Sequence, residues 1–431
     1  MENKGIESQD WKTEGISLSS PLLSQFSTLK YFRFRQPIDR TSIDDPYEET
    51  RREMRRLHLS VEFGQTVAVT ASSRGISDIA SITRAVVDHF KELGLRPFLV
   101  PAMGSHAGGT AESQLHLLAD YGLTEDILGC PIRSSMETVV LGELVIESEH
   151  GPMTCPVHFD RIAAEADHVF PVNRIKSHTR FTGPIESGLL KMLMIGLGNA
   201  EGASAYHRAV SDDRFSTVVR QVADFLMQKT SVLGGLGIVE NGEGKTACLR
   251  ALHAEELQTE EEKLLILSKR LTPRLPFEEI DLLFIGQIGK NISGTGLDSN
   301  VVGRKFDDHK AVKGERPRVH YIAVLGLTPE TAGNANGIGM AEFCLRSVLQ
   351  KIDWQKTRFN AMTANHVSAA MVPLDFETET EILEAAWLSL GRPDPATMRV
   401  VWIRDTLHLE EITATESLRD EVLRQGFEMI E

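Results

Sequence analysis

Cysteine is scarce in this chain. There are four, Cys130, Cys155, Cys248 and Cys344, far apart and never in a C-x-x-C pair. That spacing argues against a disulfide-stapled scaffold and a clustered zinc site, and leaves reduced thiols as the expectation. Long hydrophobic runs are also missing. The longest apolar stretch, Leu189 to Leu197, is interrupted by Lys191 and Gly196. It falls well short of the roughly 18 residues that a membrane-spanning helix needs. Residues 1–30 carry charges throughout and lack the apolar centre of a secretory leader, so the expected location is the cytoplasm. Basic charge is in deficit: 46 Lys plus Arg against 61 Asp plus Glu give a net charge of −15. A field of that sign repels nucleic acid and anionic membrane, and neither is expected as a partner. It does not exclude a small anionic substrate, because positive groups converging in a cleft override the global field. Self-association is left open.

What is present reads as an α/β protein. At 431 residues, 41% apolar and 25% charged, the chain is ordinary in composition and too long for one core. Thr66–Thr70 and Pro97–Pro101 read as short buried strands, each followed by a loop and then a helix, Ile79–Leu93 and Ala111–Tyr121. That alternation signals a parallel sheet covered by helices. Val139–Glu147 and Gly151–Val157 suggest a hairpin, Asp167–Val172 and Val232–Val239 further strands, and Phe215–Gln228 an amphipathic helix. Asp281–Ile285 and Tyr321–Leu325 open a second set of strands, a helix is expected from Ala341, and Val400–Ile403 reads as the last strand. The charged, proline-containing stretch Lys263–Pro276 marks a boundary. The expected organisation is an N-terminal extension, 1–57, packed on a first α/β domain, 58–275, with a second α/β domain, 276–431, and the active site in the cleft between the two. Arg51, Arg52, Arg55 and Arg56 look like one solvated helix.

Ligands of open α/β sheets bind beyond the carboxyl ends of the strands, so the loops there hold the candidates. Arg74 follows the first strand; a guanidinium in that place grips a carboxylate or phosphate, or is an ordinary surface arginine. His106, in Gly104-Ser-His-Ala-Gly-Gly109, is a candidate acid/base or a turn residue. Between Asn173 and Arg208, six cationic or titratable residues (Arg174, Lys176, His178, Arg180, Lys191 and His207) face only Glu186 and Glu201. Lys191 interrupts an otherwise apolar run, Gly188-Leu-Leu-Lys-Met-Leu-Met-Ile-Gly196. A lysine there must snorkel, pair or be used chemically, since burial frees its amine as a nucleophile. Two glycine-rich loops, Gly286–Gly303 and Gly333–Gly339, match neither a P-loop nor a dinucleotide fingerprint.

Gly104-Ser-His106, Ser177-His178, and Gly188-Leu-Leu-Lys191 followed sixteen residues later by His207 resemble the nickel-pincer lactate racemase family, in a divergent branch. The resemblance implies an isomerase: a racemase or 2-epimerase of a 2-hydroxy acid, including sugar acids. It implies a pyridinium-3,5-bisthiocarboxylic acid mononucleotide carrying nickel, bonded covalently to Lys191 and accepting hydride reversibly from the substrate. His207 would be the nickel ligand, and an imidazole suits a square-planar Ni(II) centre. His106 and His178 would be general bases on opposite faces of the substrate. Ser177 and Arg74 would contact the cofactor, and Arg74 the substrate also.

The sequence departs from the lactate enzymes in three places. Lys191 follows His178 at a spacing of thirteen positions, Ala71 stands where an Asp is expected, and Lys290-Asn-Ile-Ser-Gly-Thr-Gly lacks a Tyr-Gln pair. These changes point to a larger, more polar acid than lactate, with Lys290, Asn300 and Arg304 as substrate-binding candidates. Other redox or lyase chemistry on the same cofactor, or a non-catalytic binding protein, are the alternatives.

Overall fold

The first strand, β1 (Tyr31–Arg35), lies within the stretch that the sequence suggested was an extension packed on the first domain. It buries Phe32 and Phe34 and pairs antiparallel with β15 (Glu411–Thr415) and β16 (Glu428–Ile430). Arg33 and Arg35 reach across it to Glu411, at 2.9 and 2.6 Å, so β1 belongs to the C-terminal sheet. The residues that follow turn to the first part of the fold: the carbonyls of Asp39 and Thr41 accept from Gly242 N–H and Asn241 Nδ2, and the helix Pro46–Met54 packs against the helix Ile79–Glu92. That helix is not solvated throughout: Arg51 is buried and ion-paired with Glu92, while Arg52, Arg55 and Arg56 are exposed. The computed structural model describes residues 26, 29–72, 75–104, 109–148, 151–209, 215–364 and 366–430, with backbone alone at 147, 148 and 207–209.

Several sheets are covered by helices, as expected of an α/β protein. β2 (Thr66–Ala71) lies between β3 (Arg96–Pro101) and β6 (His168–Phe170), all parallel. Alternate side chains of a strand point to opposite faces. Val67 and Val69 accordingly meet Ile82, Val86 and Phe90 of the helix Ile79–Glu92, while Ala68 shares the other face with Val218, Val222 and Leu226 of the helix Phe215–Lys229. β4 (Thr138–Ser148) and β5 (Gly151–Asp160) form the expected hairpin. After Pro171 the chain changes sheets: β7 (Val172–Arg174) runs parallel to β8 (Gly234–Glu240), which pairs antiparallel with β9 (Thr246–His253). The helix Leu257–Leu271 covers much of the stretch read as a boundary, burying Leu264, Leu265 and Leu271.

The large sheet runs β13 (Leu374–Phe376), β12 (Phe343–Leu345), β11 (Arg318–Val324), β10 (Glu279–Ile285), β14 (Val400–Ile403), β15, β1, β16. From β13 to β14 the pairing is parallel. β10 is apolar on both faces because both are covered: Leu283 and Ile285 join one core layer, Leu282 and Phe284 another with Ile382 and Trp387 of the helix Glu379–Ser389. The helix expected from Ala341 is absent. Ala341 is extended and Phe343–Leu345 enter the sheet instead, because Phe343 and Cys344 fill its core beside β11. Nor is Val400–Ile403 the last strand, since β15 and β16 follow it. No helix among the described residues is long and apolar enough to cross a membrane.

Candidate active site

The candidate site forms where β7 ends. Lys176 and Ser187 exchange backbone hydrogen bonds at 2.9 and 3.3 Å, closing residues 176–187 into a loop at its neck. Gly183 stands where a Cβ would come within 2.6 Å of Ser216, so the loop can lie close on the helix Phe215–Lys229 only with glycine there. Phe181 stacks on Phe215 at 3.6 Å between centroids, and the His178 ring stacks on Phe181 at 4.3 Å. His178 is held by more than stacking. Its Nδ1 accepts the backbone N–H groups of Arg180 and Phe181, both at 3.1 Å. An acceptor at Nδ1 assigns the proton of the neutral ring to Nε2.

The backbone of His178 is fixed equally. Its N–H donates to Glu186 Oε2 at 2.7 Å, and its carbonyl accepts from Asn300 Nδ2 at 3.1 Å. Ser299 donates to the next carbonyl, that of Thr179. Glu186 is 1% exposed, with Lys269 Nζ at 2.6 Å on Oε1 and Lys305 Nζ at 2.8 Å on Oε2. Burial pushes the Lys305 amine below its usual range against the pull of Glu186. The excess of cations read in the sequence is therefore partly neutralised: Arg174 pairs with Glu240, and Arg180 lies in the field of the Asp308 carboxylate.

The chain then turns at Gly188 into the short helix Leu189–Lys191 and a π-helical turn, Met192–Gly196. A buried carboxylate caps that start. Glu261, on the helix Leu257–Leu271, accepts the Leu190 N–H at 3.0 Å. Burial pushes its carboxyl up to about 7. A Cβ at Gly188 would fall 2.2 Å from Glu261 Oε1, which explains the glycine. Lys191 is half-buried, with Nζ 5.7 Å from the centroid of Phe181, the ring on which His178 stacks. The amine thus lies beside the aromatic cluster that holds the imidazole. The π-helical turn leads towards the other strand ends: Thr70 of β2 donates to Met192 Sδ at 2.6 Å, and the Gly104 N–H, in the loop after β3, donates to the Gly196 carbonyl at 3.1 Å.

The remaining candidates divide. Arg74 and His106 lie outside the described residues, as does the side chain of His207, whose backbone is in the helix Asn199–Ala209. Ser177 is half-buried beside His178. Asn300 reaches the site through the His178 backbone. Lys290 Nζ donates at 2.7 Å to the Gly294 carbonyl of its own loop. Arg304 is corrected: it is 1% exposed, its guanidinium spent on Glu342 at 2.7 Å and on the carbonyls of Asp308, Met340, Val319 and His320. It ties loop to sheet and is not presented to a ligand. The glycines of the two later loops serve mutual approach, since a Cβ at Gly337 would strike the Thr295 carbonyl.

Sequence reasoning missed Glu261, Lys269 and Lys305. Glu261 had a signal, because it falls on the apolar stripe of its helix with Leu257, Leu264, Leu265 and Ser268. Lys305, next to Arg304, had none.

The fold has solved counterparts. It matches the lactate racemase apoprotein from Thermoanaerobacterium thermosaccharolyticum over 88% of this chain and 99% of that one, with a TM-score of 0.54 and 11% sequence identity. It also matches a structural-genomics target from Thermotoga maritima over 78% of this chain and 86% of the other, with a TM-score of 0.52 and 16% identity. No family model matches the sequence, and no curated protein does. The chain is thus an α/β protein with a lactate-racemase-like fold.

Proposed function

We propose that this chain is a racemase or 2-epimerase of a small anionic 2-hydroxy acid. The observation that carries the reading is the placing of His178 and Lys191 around one aromatic cluster, at the end of β7, in a lactate-racemase-like fold. The residues suit a nickel-pincer nucleotide: an amine half-buried on a turn that a buried carboxylate holds is a fitting point of covalent attachment. Lys191 would hold the group, His207 would supply an imidazole to nickel, and Arg74 and Ser177 would contact it. When bound, the group supplies a reversible hydride acceptor for the substrate's C2.

The chain's own residues handle protons and orientation. His106 and His178 exchange the hydroxyl proton from two sides. His178 enters that cycle offering Nε2–H to a substrate oxygen, because two backbone N–H groups occupy Nδ1. Stacking on Phe181 fixes the direction in which Nε2 points.

The same geometry favours a second reading. To take a proton at Nε2 the ring must carry one on Nδ1, against both backbone donors. A His178 that remains a donor would support one-sided chemistry on the acid, an oxidation or an elimination, with His106 as the only base. The test is to supply single enantiomers of 2-hydroxy acids to protein made in cells that synthesise the cofactor and to follow circular dichroism. Decay of either enantiomer to the racemate or epimeric mixture supports the first reading. Consumption of one enantiomer without inversion supports the second, and a clean apo mass in such cells with no turnover overturns both.

A further inference from the structure

Glu186 and Lys305 are remote from each other in sequence and come from different sheets' loops, yet they meet behind His178. Lys305 follows the glycine-rich loop after β10 and is, with a side chain 9% exposed, almost as enclosed as its partner. A buried ammonium and a buried carboxylate each depend on the other, since either alone is a desolvated charge. Lys269 also meets Glu186, but on the other oxygen and from a more exposed position. The oxygen that Lys305 holds, Oε2, is the one that accepts the His178 N–H.

We propose that Glu186 and Lys305 are positioning residues for His178: their ion pair holds the carboxylate against the His178 amide and thereby keeps Nδ1 under the Arg180 and Phe181 N–H groups and Nε2–H towards the substrate. The proposal rests on the reading that His178 meets the substrate. It makes the segment after β10 part of the proton-transfer apparatus although it carries none of the proposed acid/base groups. Asn300 and Ser299 strengthen the case, because they bind the next two carbonyls of the same loop from the same segment.

The experiment uses the full chain labelled with ¹⁵N-histidine, with His178→Gln to assign the signal. Long-range ¹H–¹⁵N correlations report which ring nitrogen carries the proton, whether or not a substrate is known. Wild type should show the proton on Nε2 and Nδ1 unprotonated, as the acceptor of the Arg180 and Phe181 N–H groups. Lys305→Met and Glu186→Gln should give a mixture of tautomers, and Lys305→Arg should restore the wild-type pattern. Glu186→Gln keeps an acceptor for the His178 N–H and nearly the same shape, so it serves if Lys305→Met does not fold. Where wild type turns over a hydroxy acid, Lys305→Met should lower kcat about 100-fold with KM little changed, the scale expected of a misplaced catalytic group. A folded Lys305→Met or Glu186→Gln protein whose His178 signals match wild type overturns the proposal, as does failure of Lys305→Arg to restore them. Loss of the tautomer pattern in a protein that turns over no hydroxy acid would instead support the positioning role and count against the functional reading.

Discussion

Glu261 lies under Leu190, its Oε2 taking the backbone N–H at 3.0 Å one residue before Lys191, while its Oε1 is buried with no hydrogen-bond partner among the described residues. Burial therefore keeps the carboxyl protonated up to about pH 7, whereas in the unfolded chain it loses its proton near the usual 4.5. Between those values the native state keeps a proton that the unfolded state has lost. Stability from this group accordingly falls as pH rises from 4.5 to about 7 and levels above it. At 1.36 kcal/mol per unit the loss is about 3 kcal/mol. Glu261→Gln removes the ionisation and keeps an acceptor for Leu190. Urea unfolding from pH 5 to 8 should show the variant gaining on wild type as pH rises. Parallel curves for the two proteins would mean that Glu261 is not the group responsible.

Gly188→Ala probes the same contact from the other side. The new Cβ would meet Glu261 Oε1 at 2.2 Å and Cδ at 2.6 Å, and Ile175 at 3.1 Å. Gly188 is extended, so the penalty is crowding and not backbone strain. Overpacking of this kind costs about 1–3 kcal/mol. The two substitutions share a contact, so Gly188→Ala and Glu261→Ala together should cost less than the sum of each alone. A double-mutant cycle by chemical denaturation checks it, and strict additivity would show that the glycine has another purpose.

The parts of the fold that the sequence revealed are those built from local pattern. Thr66–Ala71 and Glu279–Ile285 are apolar on both faces because helices cover both, and Ile79–Glu92 shows its stripe at helical spacing. β1 was hidden because its partners lie nearly 400 residues away, at Thr415 and Glu411, and its charged face looked like a solvated extension. β12 has only three residues, too short for a period to show. The site divides along the same line. His178 and Lys191 stand out as polar groups in unusual company. Arg304 reads as a candidate ligand group until the five groups that enclose it are assembled from three segments, Asp308, Val319–His320 and Met340–Glu342, which no local spacing announces.

Arg304→Met tests that structural role. The substitution leaves the carbonyls of Met340, Val319, His320 and Asp308 without their donor and Glu342 without its closest cation. Breaking a buried pair by removing one partner costs about 3–5 kcal/mol. The expected result is a large loss of stability in thermal melts, with substrate affinity unchanged in whatever protein remains folded. A stable variant with a raised KM would return Arg304 to the substrate pocket.

His178→Asn separates the ring's chemistry from its place in the loop. An asparagine oxygen two and three residues ahead of Arg180 N–H and Phe181 N–H accepts the same two hydrogen bonds in a turn. The loop should hold, with the melting temperature close to wild type. Proton transfer at Nε2 is lost, which should lower turnover by about 100- to 10,000-fold. Racemisation at the wild-type rate would remove His178 from the mechanism.

Lys191→Arg asks whether the amine is used or only placed. Arginine keeps the charge and the stem, so it preserves the contact with the face of Phe181 and should leave stability within about 0.5 kcal/mol. A guanidinium stays protonated and lacks the nucleophilic amine that a covalent attachment needs. Protein from cells that make the nucleotide should therefore show an adduct in its intact mass for wild type and the bare sequence mass for Lys191→Arg. His207→Ala supplies the converse: the adduct persists while bound nickel, read by elemental analysis, is lost. An adduct that survives Lys191→Arg would place the attachment elsewhere, and a wild type that takes up nickel without any adduct would leave Lys191 as a cation over an aromatic ring.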